Sequence, residues 1–185
     1  MTFRRISFAA LFATLFAAPF AASAQTAQHA HVHGQIKLDV AIEGPTVVIE
    51  MESPLDNFIG FERAPRTEDE KKTAQDAVAQ LRAADQLFKI DPSASCKLGP
   101  VTLRSAALEL GKPEANPANA TDGGHADIAA TFAFNCTNAS ATKFIDIALF
   151  TAFKNTRQIE AQIAAPQGQF KRTLKRPATR LSWGQ

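Results

Sequence analysis

Ile36, Leu38, Val40 and Ile42 alternate with Lys37, Asp39 and Glu43, the two-residue period of a strand with one buried face and one wet face. Glu43-Gly44-Pro45 breaks the pattern and Val47-Val48-Ile49-Glu50-Met51 resumes it, which predicts a hairpin. Ile128, Ala130, Phe132, Phe134 and Cys136 alternate as strictly. A strand through Phe144, Ile145, Ile147, Leu149 and Phe153 follows, Val101 to Leu110 reads as another, and shorter runs at 157–164, 168–175 and 179–183 complete the set. Between these, the period changes to that of a helix. Thr67 and Glu70 form a capping box, Glu68, Asp69 and Glu70 place negative charge at the positive end of a helix dipole, and Ala74, Ala77, Val78, Leu81, Ala84 and Phe88 recur on one stripe. One amphipathic helix of about 30 Å is therefore expected over 67–89, ended by Asp91-Pro92 and Ser93. The expected class is α+β, with largely antiparallel β-sheet and one long amphipathic helix.

Two stretches lack periodicity. Ser53 to Pro65 is loop-like but carries Leu55, Phe58, Ile59 and Phe61, so it is expected to pack down on the core. Lys112 to Gly124, with its prolines, asparagines and paired glycines, reads as a mobile loop.

The first residues change the picture of where this domain works. Arg4 and Arg5, an apolar run from Ile6 to Phe20, and Ala22-Ser23-Ala24 have the three-part form of a secretion signal, too short and too clearly followed by a cleavage site to be preferred as a membrane anchor. The expected organisation is a signal peptide over 1–24 and a single domain over 25–185, soluble once processed. Without Arg4 and Arg5 the 20 basic residues fall to 18, matching the 18 acidic ones, so the basic pI of the whole chain is no argument for nucleic acid or anionic membrane as partner. Cys96 and Cys136 are the only two cysteines, and in an exported chain they are expected to form a disulfide; the alternative is a pair of thiolate metal ligands.

Gln28-His29-Ala30-His31-Val32-His33-Gly34 holds three of the four histidines, and neutral imidazole is the commonest metal ligand in proteins. Extending the first strand's alternation backwards places Gly34 with the core-facing set and His29, His31 and His33 together on the wet face. Zinc takes about four ligands at about 2.0 to 2.2 Å, so this run supplies two or three and must borrow the rest. His125 and Asp127 are the candidates to complete the sphere. The competing interpretation is a solvated polar tail with no ordered site.

Other chemistry is sparse. There is no His-Glu-x-x-His helix, Gly-x-Ser-x-Gly elbow or phosphate-binding glycine loop, and the chain has no tyrosine. Asp56 and Glu62 lie near each other in the Ser53–Pro65 segment and could serve as acid and base, but carboxylates this close in sequence are common without catalysis. Binding is favoured over enzymatic activity. Lys171, Arg172, Lys175, Arg176 and Arg180 read as the solvated face of edge strands, where positive charge discourages aggregation.

His31-Val32-His33-Gly34, Ser53-Pro54 with Asn57 and Gly60-Phe61-Glu62, Ala64-Pro65, Leu87-Phe88, Cys96, His125-Ala126-Asp127 leading through Phe132 and Phe134 to Cys136, Leu149-Phe150, Gly168-Gln169 and Trp183 together resemble the ZrgA-type periplasmic zinc-binding proteins. The resemblance implies a periplasmic protein that binds Zn2+ and assists its uptake, beside an ABC-type importer or that importer's solute-binding protein. Two departures stand out: relatives often carry histidine where this chain has Arg63, and many carry histidines in the central loop that Lys112 to Gly124 lacks. Zinc capacity is then expected to be small, a single ion. The expected protein is a monomer that captures Zn2+ through His31 and His33 with His29, His125 and Asp127 as further ligands, and loses affinity below about pH 6.5. The rivals are a metal-independent envelope interaction module and a binder of copper or nickel.

Overall fold

A computed structural model describes residues 32–111 and 126–184. The expected signal peptide, His29, His31, His125 and the expected loop from Lys112 to Gly124 lie outside the described residues.

The predicted hairpin is β1 (Gln35–Glu43) and β2 (Thr46–Pro54), paired antiparallel so that Leu38 faces Met51 and Val40 faces Ile49. β2 pairs in turn with β5 (Asp127–Cys136), and β5 with β4 (Cys96–Arg104). On the other side β1 pairs with β7 (Gln158–Ala165) in parallel, and β7 with β8 (Gly168–Lys175), giving a six-stranded sheet in the order β4-β5-β2-β1-β7-β8. A three-stranded antiparallel sheet is built from β3 (Phe88–Ile90), β6 (Phe144–Ile147) and β9 (Arg180–Ser182), in the order β3-β6-β9. Alternate residues of the large sheet, among them Ile36, Leu38, Ile49, Phe132 and Ile159, are buried in one core, as the two-residue period requires. Phe88 of the small sheet packs on Phe132 with ring centroids 5.1 Å apart. Burying each such side chain contributes about 1.5 to 3 kcal/mol.

The long helix is not there, and the protein is mostly β. The capping box forms as expected, but the helix, Glu68–Arg82, spans only about 22 Å. Ala83 leaves helical geometry, Ala84–Leu87 makes a separate turn, and Phe88 enters β3. Nothing local ends the helix at Ala83. Pairing of Phe88–Ile90 with Ile145–Ile147 sets the stop, because the strand buries Phe88 and completes the small sheet. We number the short helix Asp56–Ile59 α1, Glu68–Arg82 α2, Ala84–Leu87 α3 and Leu149–Ala152 α4.

The strand expected through Phe153 also stops early, at Ile147. Leu149, Phe150 and Phe153 are all buried, a helical spacing that α4 satisfies and a strand cannot. The strand expected over Val101–Leu110 is displaced: β4 begins at Cys96, breaks register between Leu98 and Val101, and gives way to a reversal in which Ser105 and Leu110 exchange backbone hydrogen bonds of 3.1 and 2.9 Å. At the irregularity, a side chain on Gly99 would meet Asn135 at 2.7 Å. Cys96 and Cys136 stand directly opposite each other in β4 and β5 and are joined by a disulfide, which removes both from the list of candidate metal ligands.

The basic residues Lys171, Arg172 and Lys175 lie exposed on β8, an edge strand of the large sheet, as their expected role as edge charge demands. Arg180 instead forms a two-pronged ion pair with Asp146 at 2.7 and 2.8 Å, and Arg176 donates to the carbonyls of Phe150, Lys154 and Thr156. No described helix is long and apolar enough to cross a membrane.

Candidate metal centre

His33 does not lie on the strand. β1 begins at Gln35, and the chain enters it through a turn in which the Gln35 N–H donates to the Val32 carbonyl at 3.0 Å. Gly34 occupies the left-handed region there, φ +82, and a side chain at that position would meet the Arg157 stem at 3.1 Å. Both faces of this glycine are held: its N–H donates to Asn57 Oδ1 at 2.8 Å, and its carbonyl accepts from the Arg157 and Gln158 N–H groups at 2.7 and 3.0 Å. The extrapolated strand alternation therefore ends at Gly34, and the turn sets the direction of the His33 ring.

Asp56 and Glu62 come from the segment that packs down after β2. The Leu55 N–H donates to the Ala126 carbonyl at 2.8 Å, Leu55, Phe58 and Ile59 are buried, and the single turn of α1 ends at Gly60 with φ +86. Gly60 N–H closes on the Asp56 carbonyl at 2.9 Å, which also accepts from Asn155 Nδ2 at 2.9 Å. This left-handed exit turns the chain back so that Glu62 reaches the same place as Asp56. The following residue, Arg63, points elsewhere, with its guanidinium on the Glu70 carboxylate at 2.6 and 2.9 Å and over the Phe61 ring.

One donor atom each from His33, Asp56 and Glu62 lies within 4.8 Å of the other two. His33 Nδ1 is 2.5 Å from Asp56 Oδ2 and 3.6 Å from Glu62 Oε1. The carboxylates are the sheltered part, with side chains 20% and 12% exposed, and the imidazole above them is 63% exposed. Asp56 Oδ1 is buried with no hydrogen-bond partner among the described residues. A buried carboxylate oxygen in that condition is costly unless a cation or donor reaches it. The Asp56 hydrogen bond, and then the charges of Asp56 and Glu62, push the His33 pKa up from its ordinary value; desolvation and Arg157 act against them. One imidazole nitrogen and two carboxylates form a donor set suited to a divalent metal such as zinc, with room for a fourth ligand.

Of the sequence-expected ligands within the described residues, His33 is in this cluster. Asp127 is exposed at the start of β5, opposite Pro54, and does not join the three donors. The sequence offers Asp56 and Glu62 only as a possible acid and base; their place beside His33, where the three could hold a metal ion, is what sequence reasoning missed. Their signal was the Gly60 between them, in a loop whose apolar residues had to be buried.

The protein is thus mostly β and gathers an imidazole and two carboxylates that could hold a metal ion at the entry to its central hairpin. The chain belongs to the ZrgA family: the family model described as ZrgA family zinc uptake protein matches residues 30–183. No curated protein matches the chain significantly.

Proposed function

We propose that this protein captures Zn2+ in the periplasm through His33, Asp56 and Glu62 and hands it to, or buffers it for, a zinc importer. The observation that carries this reading is the gathering of three donor atoms within 4.8 Å in a chain of a zinc uptake family. Metal cargo is bound and released without chemical change, so the protein is a carrier rather than an enzyme, and it acts as a monomer. His29, His31 and His125 are the candidates for the fourth position, with water as the alternative. Two carboxylates make the centre harder than an all-histidine one and unsuited to Cu(I), while Cu2+ and Ni2+ remain competitors in vitro.

The test is calorimetric titration of Zn2+ into the purified protein, beside His33→Ala and a variant with both His29 and His31 changed to alanine. One ion bound at micromolar or tighter affinity, and lost in His33→Ala, supports the reading. Loss in the His29/His31 variant alone would move the site to the N-terminal run. No binding by the parent would favour a metal-independent interaction module.

A further inference from the structure

Asn57 is 1% exposed, and its carboxamide is hydrogen-bonded at both ends. Oδ1 accepts from the Gly34 N–H at 2.8 Å, and Nδ2 donates to the Gln35 carbonyl at 2.9 Å and to Ser53 Oγ at 2.8 Å. A carboxamide taken out of water is tolerable only when satisfied in this way. Here the satisfaction joins two pieces of chain that lie 23 residues apart in sequence, the residue after His33 and the residue after Asp56.

We infer that Asn57 is the positioning residue of the zinc site, bolting the His33–Gly34 turn to α1 so that imidazole and carboxylates stand together before the ion arrives. The inference rests on the zinc reading above. Because Asn57 follows Asp56 directly, its grip on Gly34 ties the backbones that carry the two side chains, so the Cα atoms of His33 and Asp56 cannot separate without breaking it and only side-chain rotation is left free. From the opposite side the Arg157 and Gln158 N–H groups hold the Gly34 carbonyl, so the turn is fixed on both edges. Only a carboxamide of this length serves. Aspartate would keep the acceptor for Gly34 and lose both donated bonds, and glutamine would add a methylene where there is no exposed space.

The experiment measures Zn2+ affinity by calorimetry for the parent, Asn57→Ala, Asn57→Asp, Ser53→Ala and Ile145→Val, each well below its unfolding temperature. For a variant that is folded under those conditions, a loss of stability alone leaves affinity unmoved; Ile145→Val, a core change in β6, is the control. Asn57→Ala is expected to weaken zinc binding about 10- to 100-fold, the usual effect of removing a group that orients a ligand, and Ser53→Ala to weaken it less. Ile145→Val should lower the unfolding temperature and keep the parental affinity. Parental affinity in Asn57→Ala overturns the inference, as does a loss in Ile145→Val equal to that in Asn57→Ala. Should Asn57→Ala fail to fold, parental affinity in both Asn57→Asp and Ser53→Ala overturns it instead. An unresponsive parent, or a His33→Ala protein that binds like the parent, brings down the zinc site itself and is read before any Asn57 variant.

Discussion

Nδ1 of His33 and Oδ2 of Asp56 stand 2.5 Å apart, joined by a hydrogen bond. Two ligands on a tetrahedral zinc at about 2.1 Å are about 3.4 Å from each other. The His33–Glu62 distance, 3.6 Å, is already close to that value, whereas the His33–Asp56 contact must open by roughly an ångström as a metal replaces the proton. Proton and metal thus compete for one pair of atoms.

The competition fixes the pH dependence. His33 is shifted upward from 6.5, so its proton begins to obstruct metal binding above that pH rather than below it, and zinc affinity falls as pH drops through the raised value. Asp56→Asn removes the main cause of the shift, and the onset should move to lower pH. In the metal-free protein the sign is opposite. The stabilisation from the raised pKa of His33 is fully present below its unfolded value and is lost as pH rises through the folded one. Calorimetric zinc titrations between about pH 8 and pH 5 check the first trend, and unchanged affinity over that span would exclude ligation by His33.

The carboxylates should matter as much as the ring. Asp56→Asn and Glu62→Gln each remove a charged ligand while keeping the side chain's shape, and each is expected to weaken zinc binding by at least about tenfold with the fold intact. Circular dichroism beside the titration separates the two effects. Parental affinity in Glu62→Gln would leave His33 and Asp56 as a simple hydrogen-bonded pair.

How far the sequence could be read depended on how local the determining interactions are. Alternation in β1, β2 and β5 follows from each strand's own two-residue pattern and was legible. So was the Thr67–Glu70 capping box, closed within four residues. The stop at Ala83 was not, because it is imposed by the pairing of Phe88 with Ile147, far along the chain. The site divides in the same way. His33 was legible as a histidine among histidines, but its direction depends on a positive φ at Gly34 and on Asn57, and its partners come from a loop whose fold is set by burial of Leu55, Phe58 and Ile59.

Arg63 and Glu70 give a prediction away from the metal. The Glu70 carboxyl is held down to about 2 by the Arg63 guanidinium first, then by the backbone N–H of Arg66, with a weaker contribution from that of Thr67. Its contribution to stability is therefore present above the unfolded value of 4.5 and is lost as pH falls toward about 2. Arg63→Ala should raise the Glu70 midpoint toward 4.5 in a carboxyl-detected NMR titration. A midpoint unmoved by the substitution would assign the shift to the backbone donors.

The Cys96–Cys136 bridge should act on stability and leave metal binding alone. It closes a loop with a sequence separation of 40, worth about 4 kcal/mol in the chain-entropy model, and engineered losses of such bridges usually fall between about 2 and 5 kcal/mol. Cys136 donates its N–H to the Pro45 carbonyl, at the hairpin end of β1 and β2, whereas His33 lies beyond the other end of β1. Nine extended residues separate those ends, about 25 to 30 Å. A Cys96→Ala/Cys136→Ala protein should therefore unfold in urea with about 2 to 4 kcal/mol less stability and bind zinc with parental affinity and stoichiometry. The double variant is preferable to a reductant, because thiols added to the buffer would themselves bind zinc. A fall in stoichiometry rather than in stability would mean that the sulfurs serve as thiolate ligands, and the site would then have to be sought at the far end of the sheet.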